Sequence, residues 1–209
     1  RFLSLEMIWP DNALLRAYVL SPRLGQISAD LLDVPAVRLY HDNVLAKQAG
    51  CGRTPWHFDD HHFPLDTNDV VTAWVPAQPI PLEMGPLTFA YPLDVHELVN
   101  AVTFEKTGTG YDRGVSDVFS KNNVSVNETP FELGEVSFHH NLNFHTASSN
   151  RTNRSRVALA NTYYRDGARV VNAPTMVSGD WQKFMPNVKP GDVAASPLNP
   201  ICWPVKDKS

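Results

Sequence analysis

Short β-rich runs separated by Pro, Gly, Asn and Asp set the rhythm of the chain from Pro35 onward: "AVRLYHDNVLA", "DVVTAWVPAQ", "GPLTFAYP", "GEVSFHHNL" and "RVALANTYYR". Several strands at short spacing, with turn residues and little helix between them, predict an antiparallel sandwich or barrel. The stretch from Asp11 to Asp33 reads differently. Asp11 is placed to cap "NALLRAYVL", and Ser21-Pro22 opens "RLGQISADLL" with proline in the first turn, so two short helices precede the strands. From Thr103 to Pro130 the sequence is polar and rich in Gly, Asn and Ser, which predicts a long insertion between strands of the kind that forms lids or binding loops.

Alternation sharpens the reading of the last strand. A period of two puts Arg156, Ala158, Ala160, Thr162 and Tyr164 on one face and Val157, Leu159, Asn161 and Tyr163 on the other. Neither face is purely apolar. Arg and Thr among small alanines suit a sheet that lines a polar cavity, and a solvated face would have the same pattern.

With 209 residues, 43% of them hydrophobic, the chain has enough apolar mass for one core, and residues 1–209 are expected to form a single domain. Net charge is −4 with no long basic cluster, so a small molecule is the expected partner, and neither nucleic acid nor membrane is. The two cysteines, Cys51 and Cys202, are far apart and form no CxxC, so neither a disulfide framework nor a thiolate zinc site is indicated. Together with charges in the first twenty residues, where a signal peptide would be apolar, this leads us to expect a cytoplasmic location. The chain begins at Arg1 without methionine, so residues contributed by a preceding segment are left open. Four N-x-[ST] sequons, at Asn123, Asn127, Asn150 and Asn153, are read as chance in an Asn-, Ser- and Thr-rich region.

The candidate chemistry begins with "PWHFDDHH". In extended backbone, His57 and Asp59 project the same way and can present an imidazole and a carboxylate to one point, while Phe58 points elsewhere. A nitrogen and an anionic oxygen suit a divalent first-row metal, and a third ligand from a distant strand would leave three positions open. An HxD pair alone has little specificity. "GEVSFHHNLNFHTASSNRTNRSRVAL" adds His139, His140 and His145, then Arg156. An oxo-acid bound to iron would need a planar cation for its far carboxylate, and arginine supplies one. Antiparallel pairing of the strands ending near His145 and starting near Arg156 is expected to bring those two residues together.

In their order, these segments resemble the phytanoyl-CoA dioxygenase family. "VRLYHDNVLAKQAG" with "TPWHFD" is similar to its strand, loop and HxD segment, "VVTAWVPAQPIPLEMGPLTF" to its next hairpin, and the region from Gly134 to Leu159 to its distal histidine, Asn-rich turn and arginine. The tail "MPNVKPGDVAASPLNPICWP" also resembles the family, so the likeness spans about Leu32 to Pro204. The resemblance implies a mainly β, double-stranded β-helix (jelly roll, cupin-like) with flanking N-terminal helices. It also implies a non-haem Fe(II)- and 2-oxoglutarate-dependent dioxygenase, an oxidoreductase that consumes O2 and releases succinate and CO2. By that resemblance His57, Asp59 and His145 are the iron ligands, Arg156 grips the far carboxylate of 2-oxoglutarate, and Trp74 and Asn43 line its pocket. Lys47 matches a frequent family lysine with no evident physical role.

Two departures stand out. The family's Pro-Gly-Ser-His is replaced by the stretch from Ala90 to His96, and the small hydroxyl residue after the distal histidine is Ala147 here, with Thr146 or Ser148 as substitutes. A halogenating relative would have Gly or Ala in place of Asp59, so halogenation is disfavoured. The expected reaction is hydroxylation of a small metabolite or natural product.

The other histidines have plainer readings. By alternation His61 shares the face of His57 and Asp59, but a further near neighbour would crowd the site, so His61 and His62 are read as pocket lining or surface. His139 and His140 are read as hydrogen-bonded structural residues, and Trp74 suits plain core as well as a pocket wall. Two rivals from other classes remain: a zinc-dependent hydrolase, which would not need Arg156, and a non-catalytic jelly-roll binding module.

Overall fold

The computed structural model describes residues 1–104, 109–174 and 179–205. Among the described residues, ten strands form two antiparallel sheets packed face to face, the jelly-roll arrangement expected from the sequence. The larger sheet holds β1 (Phe2–Glu6), β2 (Val37–Lys47), β9 (Arg156–Arg165), β4 (Val70–Pro76) and β7 (Ser137–His140) in that order, and β10 (Ile201–Trp203) shares the β2 edge. The smaller sheet runs β3 (Thr54–His57), β8 (His145–Ala147), β5 (Leu87–Tyr91), β6 (Ser125–Glu128).

The two N-terminal helices are present as α1 (Ala13–Val19) and α2 (Pro22–Leu32), and a single-turn helix, α3 (Val95–Leu98), follows β5. Asn12, not Asp11, caps α1: its carboxamide oxygen accepts from the Leu14 and Leu15 amides at 3.1 and 3.0 Å. Both N-terminal helices cover the outer face of the large sheet, with Val19, Leu24 and Ala29 buried against Val37, Leu39, Ala73 and Tyr163. β1 gave no signal in the sequence. It forms because β2 offers it a full register, Phe2 opposite Lys47 through Glu6 opposite Asn43.

The region 103–130 departs from the expected loop. Residues 105–108 lie outside the described residues, and the rest holds α4 (Gly110–Asn122) and β6. Tyr111, Val115 and Phe119, spaced four apart, put one apolar stripe on α4 that packs with Val118 against Trp56 and Phe144. The helix therefore braces the outer face of the small sheet, and its hold is reinforced by Tyr111, whose hydroxyl donates to the Trp56 carbonyl at 2.9 Å.

Between the sheets, apolar side chains fill the two ends and leave the middle polar. Trp74, Ile80, Met84, Leu87 and Phe131 close one end, and Tyr40, Phe63, Trp181, Phe184 and Met185 the other. Two polar ties join the sheets behind the first end. Lys47, buried, donates from Nζ to the carbonyls of Ala147 and Ser148 at 2.9 and 2.8 Å, which fixes the strand that begins with His145. Asn150 donates to the carbonyls of Lys47, Gln48 and Arg154 and shapes the turn leading to Arg156. Its side chain is buried and committed to these bonds, so a glycan at that sequon is incompatible with the fold.

Gly85 is required where it stands. Its φ of 74° is left-handed, and a Cβ would overlap the Ser148 carbonyl oxygen. Gly85→Ala should cost more than about 1 kcal/mol in urea unfolding. Burial, and then the neighbouring Arg156, push the Lys47 ammonium down to about 7. The unfolded chain thus binds more protons than the folded one above that value. Raising the pH from 7 towards 10 should stabilise the wild type relative to Lys47→Met by up to about 1.4 kcal/mol per unit, with no further change below 7, as read from urea midpoints at stepped pH.

Candidate metal centre

A cavity of about 500 Å³ lies in the polar middle of the sandwich. On the small sheet, His57 and His145 are direct cross-strand partners in the β3–β8 pair, so their rings stand side by side with centroids 4.2 Å apart. Asp59 follows β3 on the first residue of a turn. Its backbone amide donates to the Asn141 carbonyl at 2.8 Å, and this aims its carboxylate at the same point. Asp59 Oδ1 lies 3.6 Å from His57 Nε2 and 3.9 Å from His145 Nε2. One ligand atom from each of the three residues falls within 4.8 Å of the others, a spacing a single ion can bridge.

Local hydrogen bonds set the protonation of these groups. His57 Nδ1 lies 2.8 Å from the Pro55 carbonyl and His145 Nδ1 2.9 Å from the Asn143 carbonyl. Each carbonyl can only accept, so Nδ1 carries the proton and Nε2 turns a lone pair to the cavity. Burial, and then the neighbouring His145, push the His57 imidazole down to about 4, and burial lowers His145 as well. Burial opposes the charge on Asp59, but His145, His139 and His57 around it hold its carboxyl well below the usual carboxylate range. Two neutral imidazoles and one carboxylate at neutral pH are the donor set that suits a divalent first-row cation.

The large sheet faces this cluster in transverse rows. His41, Thr162, Thr72 and His139 are register partners in one row, and Asn43, Ala160 and Trp74 in the next. All seven line the cavity, so the mixed face of β9 is a cavity wall and not a solvated surface. Arg156 starts β9 at the far end, opposite Lys47. Its side chain reaches back along the strand, the guanidinium carbon 5.3 Å from the Trp74 ring centroid, and Nη1 donates to the Gly85 carbonyl at 3.1 Å. Arg156 is 2% exposed, and burial lowers it only to about 10, so it remains a cation. No carboxylate among the described residues pairs with it, and both its Nε and the Trp74 Nε1 are buried N–H donors without an acceptor. A buried cation beside unmet donors fits an anionic ligand.

Several expectations change. His145 and Arg156 do not meet by strand pairing: β8 pairs with β3 and β5, β9 with β2 and β4, and the two residues approach the cavity from opposite sheets. After Asp59 the chain turns into a short 3-10 helix over Asp60–His62, which breaks the alternation, so His62 and not His61 lines the cavity. His61 packs on Phe58 instead, ring centroids 4.3 Å apart. Thr146 lines the cavity but its hydroxyl donates to the Thr54 carbonyl at 2.5 Å, and the Ser148 hydroxyl donates to Glu128, so neither offers a free donor in place of the missing family hydroxyl.

His140 fits the structural reading, facing away from the cavity with Nδ1 accepting from the Leu142 amide. His139 does not: it faces the cavity, 3.6 Å from Asp59 Oδ2, and its Nδ1 has no partner. Sequence reasoning also missed Tyr40, His41, Phe63 and Phe184, an aromatic wall opposite the Arg156 end, in which His41 and Phe184 stack at 4.7 Å. A bulge between Leu39 and His41 turns adjacent residues to the same wall and hides that pattern from alternation.

Similar solved structures carry the same fold. The non-haem α-ketoglutarate-dependent carbocyclase SnoK from nogalamycin biosynthesis superposes with a TM-score of 0.75 at 23% identity, covering 96% of this chain and 76% of its own. The epimerase SnoN, in complex with Fe3+, α-ketoglutarate and nogalamycin RO, gives 0.73 at 20% identity, covering 96% and 78%. EctD from S. alaskensis with 2-oxoglutarate and 5-hydroxyectoine gives 0.67 at 15% identity, covering 93% and 68%. No curated protein matches the sequence. The family model for phytanoyl-CoA dioxygenase (PhyH) matches residues 6–158, a stretch that runs from the end of β1 into β9 and holds the histidines, the aspartate and the arginine together, and the chain belongs to that family.

Proposed function

We propose that residues 1–209 act as one catalytic domain, a non-haem Fe(II)- and 2-oxoglutarate-dependent oxygenase that oxidises a small metabolite or natural product. The observation that carries this reading is the pairing, in one cavity, of a His57–Asp59–His145 cluster with a buried arginine that has no carboxylate partner among the described residues. In it, His57, Asp59 and His145 hold the metal. When bound, iron supplies the activation of O2 that is coupled to decarboxylation of 2-oxoglutarate to succinate and CO2.

The chain's own residues bind, orient and exclude water. The carbonyls of Pro55 and Asn143 keep the imidazole lone pairs directed inward, and Asp59 brings the negative charge that favours a dication. Arg156 and Trp74 offer unmet donors to the far carboxylate of the cosubstrate, and Asn43 borders the same pocket while accepting from the Ser4 hydroxyl. The aromatic wall of Tyr40, His41, Phe63 and Phe184 borders the substrate end and keeps water from a reactive centre. A zinc hydrolase would have no use for the Arg156 and Trp74 donors. SnoK and SnoN are a carbocyclase and an epimerase, and the same donor set would serve ring closure or epimerisation as well as hydroxylation. Cys51 and Cys202 are both free thiols, as suits the cytoplasm.

Two experiments test the reading. An anaerobic titration of Fe(II) and 2-oxoglutarate should develop the visible charge-transfer band of the chelate in wild type. The band should be absent in His145→Ala and should require on the order of 10²-fold more 2-oxoglutarate in Arg156→Ala; a featureless wild-type spectrum refutes the assignment. Dialysis against a chelator should lower the melting temperature, and Mn(II) added at a hundred times its dissociation constant should restore about 2.7 kcal/mol of stability.

A further inference from the structure

Residues 139, 141, 143 and 145 of the segment "HHNLNFH" each touch the proposed centre. Asn141 accepts the Asp59 amide, the Asn143 carbonyl fixes the His145 tautomer, and His145 faces Asp59 Oδ1. The fourth, His139, addresses the other carboxylate oxygen: its Nε2 lies 3.6 Å from Asp59 Oδ2, while His57 and His145 both face Oδ1. Resting on the oxygenase reading, we propose that His139 is a positioning residue, whose Nε2–H holds the outer oxygen of Asp59 and leaves the inner one for the metal.

The three imidazoles differ in how their protons are fixed. His57 and His145 have Nδ1 tied to a backbone carbonyl, which commits Nε2 as a lone pair. His139 has no such tie. Its Nδ1 is buried without a partner, so no backbone carbonyl fixes the proton there, and the acceptor oxygen beside Nε2 favours the tautomer with the proton on Nε2. That makes it a donor towards Asp59 and removes it from the ligand set. Its surroundings hold the ring in place for that role. The side chain is 5% exposed, projects from the large sheet opposite the other two histidines, and stacks at a tilt 4.7 Å from His145 and 5.6 Å from Phe89. At 3.6 Å the contact to Oδ2 is longer than a formed hydrogen bond, and a small rotation of the carboxylate closes it. A carboxylate held by one oxygen binds a metal through the other only, which keeps positions open for cosubstrate and oxygen.

The test uses Mn(II) alone, titrated into the wild-type chain and into His57→Ala, His139→Gln, His139→Asn and His139→Phe, followed by calorimetry. Glutamine places its amide nitrogen near Nε2, and asparagine near Nδ1. His139→Phe and His139→Asn should weaken Mn(II) binding about 10- to 100-fold, and His139→Gln should stay within about threefold of wild type. The anaerobic Fe(II)–2-oxoglutarate band should shift in Phe and Asn but not in Gln, a readout that simple packing would not move.

Binding by the Phe variant equal to wild type, or Gln no better than Asn, overturns the proposal. Should the Phe variant not fold, the Gln and Asn pair decides alone. Loss of binding in His57→Ala with all three position-139 variants at wild-type affinity removes this inference and leaves the oxygenase reading standing; a wild type that takes up no Mn(II) removes both.

Discussion

Asp59, His57, His139, His145 and Arg156 bring a carboxylate, three of the cavity's imidazoles and a guanidinium together between two sheets, and taking those groups out of water is the cost around which the molecule is arranged. His57 and His145 meet it by being neutral, and the carboxylate by lying among the imidazoles. Only the guanidinium keeps its charge without a carboxylate among the described residues to answer it. Such a set is tolerable only if the surrounding frame cannot collapse to expel it. The apolar ends of the sandwich supply that frame, each closed by large side chains such as Trp74 with Phe131 and Tyr40 with Phe184.

The frame is also tied where apolar packing alone would leave it loose. β8 has only three residues, too few to fix its own register firmly, yet it begins with His145. Lys47 and Asn150, from β2 and the turn before β9, take up carbonyls at that strand's end and at the flanks of the turn. The lysine that had no role in the sequence thus acts as an anchor. It is placed directly beside Arg156, and its proton affinity is lowered first by burial and then by repulsion from that guanidinium.

The two ends of the cavity differ in kind. The Arg156 end offers a guanidinium and an indole whose buried N–H donors have no acceptor, an arrangement that suits an anion. The opposite end is walled by stacked and edge-on rings, with the Glu6–Lys183 ion pair bridging β1 to the segment before Phe184. On the proposed reading the Arg156 end selects the cosubstrate by its charge, whereas rings and a solvent-facing ion pair constrain a substrate's shape more than its chemical identity.

The sequence by itself pointed to an antiparallel sandwich or barrel, to the two helices, and to His57 and Asp59 on one side of an extended segment, because strand alternation and fixed spacing act over a few residues and are written locally. The family resemblance added the jelly-roll class, His145 as the third candidate ligand and Arg156 beyond it. The sequence missed β1, whose five residues gain their conformation only from the edge of β2, and α4, whose apolar stripe is interrupted by polar residues and makes sense only against Trp56 and Phe144. Which histidines face inward was decided by tertiary structure. The turn after Asp59 sends His62 to the cavity in place of His61, and the pairing of β7 with β4 turns His139 in and His140 out. The same holds for the meeting of His145 and Arg156, which lie on opposite sheets: their distance depends on how two sheets are stacked, and no spacing along a single chain records that.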